Sequence, residues 1–202
     1  MPSRFAHWEP GWIETLMTVP NALTFSRLLL TPLIIYLAYL PDTLARWMAL
    51  GLFIVAGLSD CFDGFLARRL NQISPLGTFL DPVVDKIVLL SLFFVLSDLR
   101  LVPLWISLLM LTRELLVDGV RSAGALTGRL VGANFMGKTK ATLQSICIGV
   151  GLGMWALAWP EETIRLWLSW LAGLTLLAAW MFAFVFLWWQ RDWLFESSYQ
   201  GE

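Results

Sequence analysis

The chain has 202 residues, of which 58% are hydrophobic and only 14% are charged. This composition excludes an ordinary soluble domain and predicts an integral membrane protein. The formal net charge of −1 gives no indication of a nucleic-acid partner. Two cysteines and one histidine cannot form a zinc site, so any metal ion must be held by oxygen ligands.

The first 18 residues contain aromatic and aliphatic side chains interspersed with charged ones, which predicts a short helix lying in the membrane interface, with a flexible tail as the alternative. Six apolar stretches follow, each close to the roughly 20 residues that a helix needs to cross a bilayer: 22–40, 45–67, 80–97, 101–121, 139–159 and 164–189. We therefore expect an all-α integral membrane protein with six transmembrane helices. It would form a single domain over residues 1–202, with the interfacial segment at 1–18, the six-helix catalytic bundle at 19–190 and a cytoplasmic tail at 191–202.

Basic residues are distributed unevenly between the two ends of the predicted spans. Three lie on one side, at Arg46, Arg100 and Arg165, and eight lie on the other: Arg4, Arg68, Arg69, Arg121, Arg129, Lys138, Lys140 and Arg191. Basic residues favour the cytoplasmic side of a membrane. Both termini and the connection after the second span are therefore predicted to face the cytoplasm.

Four aspartates lie where the second and third spans approach that side: Asp60, Asp63, Asp81 and Asp85. The first two share one face of the second helix, and the last two share a face of the third helix, one turn apart. Only a short connection, from about Arg69 to Thr78, separates these helices, so they are antiparallel neighbours that can bring the four carboxylates together. We expect the third helix to begin just before Pro82, because proline is tolerated in a first turn.

Four carboxylates at a membrane boundary require compensation, because ionised groups are costly in hydrocarbon and like charges repel one another. Protonation, basic partners or hard divalent cations could relieve the repulsion. Arg68, Arg69 and Lys86 cannot balance the cluster and also leave a usable pocket, whereas two Mg²⁺ or Mn²⁺ ions could. Such a site is suited to stabilising charge on a transferring phosphoryl group.

The pattern Asp60-x2-Asp63-Gly64-x2-Ala67-Arg68-x8-Gly77-x3-Asp81-x3-Asp85 resembles, without departure, the signature of the CDP-alcohol phosphotransferase family. The resemblance implies a six-helix membrane fold, usually a homodimer, and a divalent-metal-dependent attack by an alcohol on the β-phosphorus of a CDP-linked substrate, which releases CMP. It implies that the four aspartates are metal ligands and that Asp85 is also the general base that takes the proton of the acceptor hydroxyl. The donor-binding residues that it implies within this block are Asp60, Gly64, Ala67, Arg68 and Gly77.

The first helix opens with Pro20-Asn21-x2-Thr24-x2-Arg27, which resembles a recurrent opening in the same family, near the nucleotide. Asn21, Thr24 and Arg27 are therefore expected to bind the CDP-linked donor through hydrogen bonds. The alternative is ordinary helix capping together with an arginine that snorkels to the membrane surface.

Arg113 and Glu114 lie midway along the otherwise apolar fourth span. Such an ion pair could lock the helical bundle without any chemical role. Alternatively, an acceptor that itself carries phosphate would be bound by the basic residues of this region: Arg113, Arg121, Lys138 and Lys140. The two lysines taken alone could equally be cytoplasmic membrane anchors.

The segments PNALTFSRLLLTP, SDCFDGFLARRLNQ to FLDPVVDK, TREL and GKTKAT together resemble the bacterial phosphatidylglycerophosphate synthases over most of residues 19–145. This resemblance implies the bacterial cytoplasmic (inner) membrane with its lipids, CDP-diacylglycerol as donor and sn-glycerol 3-phosphate as acceptor. Within the family, a cardiolipin synthase that uses phosphatidylglycerol, or an enzyme that uses inositol phosphate or serine, remains an alternative. Outside the family, a prenyltransferase would need a different aspartate spacing, and a cation transporter would favour discontinuous helices in matching halves.

Overall fold

The computed structural model describes the backbone of residues 19–70, 75–126 and 135–196, and the side chains of residues 22–59, 80–125 and 139–191. Within these ranges it contains α-helices and no strands: α1 (Val19–Tyr39), α2 (Thr43–Leu70), α3 (Pro75–Asp98), α4 (Leu104–Leu126), α5 (Phe135–Ala156) and α6 (Glu161–Glu196). Each of the six predicted spans overlaps one of these helices. The all-α prediction is therefore confirmed for the described part of the chain.

Two helix boundaries differ from the sequence prediction around the aspartate block. α2 continues to Leu70, and α3 begins at Pro75, so that Pro82 lies inside α3 and not in its first turn. The expectation that the third helix begins just before Pro82 was therefore wrong. A proline removes one helical hydrogen bond, but neighbouring helices and side chains can compensate in membrane-type helices, and Pro32 lies inside α1 in the same way.

Many large apolar side chains on these helices are exposed. Two windows, Ala22–Tyr39 and Glu161–Arg191, have the length and composition of membrane spans, with mean hydropathies of 1.5 and 2.1. Only 33% of each window is buried, and Leu29, Leu177 and Trp189 are each about 70% exposed. Core helices of soluble proteins bury such side chains. This exposure indicates a membrane protein.

The chain divides into two compact units, of which the first is Met1–Val88. In this unit α1 packs along α2. The buried apolar residues of α2 among residues 43–59, the part whose side chains are described, are all alanines, at Ala45, Ala49 and Ala56, and small side chains allow two helices to approach closely. This packing fixes α1, the helix that carries Thr24 and Arg27.

The second unit is Leu89–Glu202, in which α6 packs against both α4 and α5. Phe93, Met110, Ile148 and Leu168 are among its fully buried side chains. Near one end of this core, the hydroxyls of Ser97 on α3 and Ser107 on α4 are joined by a 2.7 Å hydrogen bond, which ties these two helices together. The core thus holds rigidly the three helices that carry Arg113, Lys140 and Ala179.

Candidate active site

α2 carries the first half of the predicted aspartate site. Asp60 and Asp63 lie in its last three turns, and the helix continues through them without a break. Unbroken α-helical geometry keeps residues three and four apart on one face. The side chains of residues 60–79 lie outside those that the structure describes, so the roles assigned there stay predictions: Asp60, Asp63, Gly64, Ala67, Arg68 and Gly77.

α3 carries the second half of the site. Asp81 and Asp85 are one turn apart, and their side chains are 42% and 39% exposed. Both contact the guanidinium of Arg27 on α1, which forms an ion pair with Oδ1 of Asp85 and lies 3.9 Å from Oδ1 of Asp81. One cation reaches both carboxylates, so the predicted shared face of α3 is present.

Thr24 and Arg27 of α1 are buried against these carboxylates, with exposures of 1% and 4%. The Thr24 hydroxyl donates a hydrogen bond to Oδ1 of Asp81. The Arg27 guanidinium is therefore packed inside this unit against Asp81 and Asp85, which disfavours the alternative of a snorkelling arginine. The side chain of Asn21, the third predicted donor-binding residue of α1, lies outside the described part.

The link from α1 to Asp81 and Asp85 was missed by the sequence analysis, although a signal for it exists. Thr24 and Arg27 are three residues apart, on neighbouring positions of one face of an apolar helix. An arginine buried in such a helix needs a carboxylate partner, because an unpaired charge there is too costly. The next acidic residue, Asp42, follows the far end of α1, so the aspartate block holds the next candidates along the chain.

Asp81 and Asp85 fit a divalent cation in the chemistry of their donors. Mg²⁺ and Mn²⁺ prefer hard oxygen ligands, and both carboxylates keep part of their surface accessible. Thr24 and Arg27 approach Oδ1 of Asp81, whereas its Oδ2 accepts no hydrogen bond from a described side chain. The described side chains contain no group of three or more acidic, histidine or cysteine ligands. The side chains of Asp60 and Asp63 lie outside the described part.

A second charged cluster lies midway along α4, in the second unit. Arg113, Glu114 and Lys140 are only 6%, 4% and 6% exposed. Oε1 of Glu114 accepts hydrogen bonds from the guanidinium of Arg113, at 3.0 Å, and from Nζ of Lys140 on α5. Nε of Arg113 also donates to the carbonyl of Ala179 on α6, at 3.2 Å. The predicted ion pair is therefore present and is part of a network that joins three helices.

Arg121, two turns further along α4, has different surroundings. Its guanidinium carbon lies 6.0 Å from the centre of the Phe186 ring, and its buried Nε donates no hydrogen bond. No described carboxylate forms an ion pair with it. A cation over an aromatic face keeps its edge donors available for an anion. Arg121 is thus better placed than Arg113 to bind a ligand directly. The side chain of Lys138, another predicted acceptor residue, lies outside the described part.

Comparison with known proteins gives a family match over most of the chain. The sequence model of the family described as CDP-alcohol phosphatidyltransferase matches residues 17–185. This range contains every residue that the sequence analysis assigned to the donor, the metal ions or the acceptor.

Three curated relatives carry the same name, CDP-diacylglycerol–glycerol-3-phosphate 3-phosphatidyltransferase. The relative from Wigglesworthia glossinidia brevipalpis is 36% identical, covering 73% of this chain and 80% of its own length. The relative from Bacillus subtilis strain 168 is 30% identical, covering 76% and 88%. The relative from Escherichia coli strain K12 is 36% identical, covering 78% and 84%.

Replacing Glu114 by alanine tests whether the buried network stabilises the second unit. The change leaves Arg113 and Lys140 buried without their shared carboxylate, so we expect the free energy of unfolding to fall by about 3–5 kcal/mol. Denaturant unfolding in detergent, followed by circular dichroism, measures the change. Glu161→Ala, at an exposed glutamate in the first turn of α6, is the control and should have little effect. Equal losses in the two variants would contradict the role given to the network.

Proposed function

The chain belongs to the CDP-alcohol phosphatidyltransferase family, and on this premise we propose that it transfers the phosphatidyl group from CDP-diacylglycerol to sn-glycerol 3-phosphate. The products are phosphatidylglycerophosphate and CMP, and the reaction belongs to phospholipid biosynthesis. The observation that carries the choice of substrates is the shared name of relatives that cover 73–78% of this chain. Family membership also favours a transferase over the cation transporter considered from the sequence.

We propose further that α1 to α6 are all transmembrane helices of one catalytic domain, preceded by an interfacial helix within residues 1–18. The excess of basic residues at one end of the helices supports an orientation with both termini and the active site facing the cytoplasm. The bacterial inner membrane is the compartment, and a homodimer is the assembly expected for this family.

The chemical step is an attack by the acceptor hydroxyl on the β-phosphorus of the donor. As the new oxygen–phosphorus bond forms, the bond from that phosphorus to the CMP oxygen breaks, and CMP leaves. Asp85 accepts the proton of the attacking hydroxyl. Arg27 holds one oxygen of Asp85, and Thr24 holds one oxygen of Asp81, so α1 fixes the direction in which both carboxylates point.

Two divalent cations, Mg²⁺ or Mn²⁺, would be held by the four aspartates: Asp60, Asp63, Asp81 and Asp85. Bound there, the cations would supply positive charge to the diphosphate of the donor. For the donor nucleotide we propose Asn21, Thr24, Arg27, Asp60, Gly64, Ala67, Arg68 and Gly77. Arg68 supplies charge to phosphate, and the small residues Gly64 and Ala67 leave room beside α2.

For the acceptor residues we propose two different roles, on the basis of their contacts within the second unit. Arg121, which has no carboxylate partner among the described side chains, binds the phosphate of the acceptor directly through its fork of donors. Arg113 and Lys140 share Glu114, so they act as a fixed source of positive charge. Lys138 adds a further cation near the start of α5.

Purified protein supplied with CDP-diacylglycerol and Mg²⁺ should release CMP when sn-glycerol 3-phosphate is added. Inositol phosphate, serine and phosphatidylglycerol should give no CMP above the background without acceptor. Chelation by EDTA should abolish the release, and added Mg²⁺ or Mn²⁺ should restore it. Chromatographic measurement of CMP decides between the acceptors. CMP release that depends on phosphatidylglycerol alone would instead support a cardiolipin synthase.

Asp85→Asn keeps the size of the side chain but removes the proton acceptor and one proposed cation ligand. We expect the rate of CMP release to fall at least about a thousandfold, while the protein elutes as a folded species in detergent. Asp98→Asn, at an exposed aspartate near the other end of α3, is the matched control and should keep wild-type turnover. Wild-type turnover in Asp85→Asn would exclude the general-base role.

Arg121→Ala removes the guanidinium proposed to bind the acceptor phosphate. The KM for sn-glycerol 3-phosphate should rise about ten- to a hundredfold, because one charge-assisted interaction is lost, while the KM for CDP-diacylglycerol stays unchanged. Arg121→Lys should recover part of the affinity. Initial-rate kinetics in mixed micelles measure both constants, with Arg191→Ala as the control. An equal rise in both KM values would show a structural role for Arg121.

A further inference from the structure

A groove of about 610 Å³ lies between the first turn of α4 and the N-terminal third of α6, in the second unit. Sites for small ligands in proteins typically have about 300–1,000 Å³. Its walls are apolar and include the indoles of Trp105 and Trp170, which are exposed. Three polar residues of α6 also line it: Glu162, Arg165 and Ser169. The groove therefore combines an apolar surface with charges at its edge, as a lipid headgroup site requires.

Arg165 is held in place by the turn that joins α3 to α4. Its Nε donates a hydrogen bond of 2.9 Å to the carbonyl of Arg100. Arg100 has a φ of 58°, in the left-handed region, and the amides of Leu101 and Val102 that follow it both donate to the carbonyl of Leu96. This turn ends α3 and presents the Arg100 carbonyl to α6. No described carboxylate pairs with Arg165, so its terminal donors remain open to an anion such as a phosphate.

Glu162 lies three residues before Arg165 on the same helix and also lines the groove. No described basic residue pairs with this exposed carboxylate. A positive and a negative group on neighbouring positions of one helix face match a headgroup that carries one charge of each sign. A headgroup with negative charge only would be repelled by Glu162. A quaternary ammonium has no N–H to donate to the carboxylate.

Ser169 adds a polar group inside the groove. Other hydroxyls on the helices of this unit donate to the carbonyl four residues earlier, as Thr112, Ser145 and Thr175 do at 2.8–2.9 Å. The Oγ of Ser169 is buried and has no hydrogen-bond partner. A buried hydroxyl left unpaired is costly, and the ester carbonyl of a bound lipid would accept its hydrogen bond.

We propose that this groove binds one zwitterionic phospholipid whose headgroup carries a primary ammonium, with the chemistry of phosphatidylethanolamine. Arg165 holds the phosphate, Glu162 accepts from the ammonium, and Ser169 donates to an ester carbonyl. The first acyl carbons lie against Trp105 and Trp170. The groove is about 24 Å along α4 from Arg121, by the rise of an α-helix, and is thus separate from the proposed acceptor site.

Lipid binding to the full-length protein in detergent tests this proposal. Native mass spectrometry and the rise in the thermal unfolding temperature are measured with phosphatidylethanolamine, phosphatidylcholine and phosphatidylglycerol of identical acyl chains. Phosphatidylethanolamine should bind about tenfold more tightly than the other two lipids, the difference expected for one charge-assisted hydrogen bond. Equal binding of the three lipids, or preference for phosphatidylglycerol, would overturn the proposal without any variant being made.

Two pairs of variants locate the bound lipid. Glu162→Gln should remove the preference for phosphatidylethanolamine. Arg165→Ala should weaken the binding of all three lipids about tenfold. At Gly173, which lines the groove, and at Gly153, which does not, an added Cβ meets no atom within 4 Å. Gly173→Leu should therefore abolish tight binding by filling the groove, whereas Gly153→Leu should keep it.

Equal lipid affinity in the two glycine variants would contradict the proposal. A shift from dimer to monomer in Gly173→Leu with unchanged lipid binding would show that a second copy of the chain covers the groove, and would also overturn it. None of these measurements uses the transfer reaction. If the lipid-binding measurements contradict the proposal for the groove, the proposed function still stands. If the transfer reaction is not observed, the proposal for the groove still stands.

Discussion

The guanidinium of Arg27 is almost completely buried on α1, where it contacts the carboxylates of Asp81 and Asp85 on α3. A charge in such a position is tolerated only with a partner of opposite sign. The contact therefore constrains both sides: α1 must keep its register against α3, and the two carboxylates must point towards α1. Thr24 strengthens the same constraint through its hydrogen bond to Asp81. The candidate catalytic chemistry depends on this arrangement, since Asp85 can act as a base only if its direction is fixed.

The same physical rule operates in the second unit. Glu114 is buried between two cations, Arg113 and Lys140, and the network is anchored to the backbone of α6 through Ala179. Helices surrounded by lipid gain little from burying further apolar surface, so hydrogen bonds and ion pairs between them contribute more to specifying their arrangement. Arg121 lies on the same helix without a carboxylate partner in the described part, in contrast to Arg113, which is paired with Glu114.

The sequence predicted the helical class and the identity of the charged positions better than it predicted their contacts. The spacing of Asp81 and Asp85 was sufficient to place them on one face, because one helical turn separates them whatever surrounds the helix. The partnership of Arg27 with both aspartates was not found, since it depends on the packing of α1 and α3, which brings together side chains as far apart in the chain as Arg27 and Asp85, 58 residues. The start of α3 was placed too late, because the rule for proline in soluble helices was applied to Pro82. Ser169 gave no signal, as a serine in an apolar helix usually binds its own backbone.

The dependence of the aspartate pair on Arg27 can be measured by a double-mutant cycle on Arg27→Met and Asp85→Asn in detergent without divalent cations. If the ion pair orients the site, the loss of unfolding free energy in the double variant should be smaller than the sum of the two single losses by about 1–2 kcal/mol, a coupling moderated by the partial exposure of Asp85. Losses that add to within about 0.5 kcal/mol would mean that the two side chains act independently, and would contradict the account.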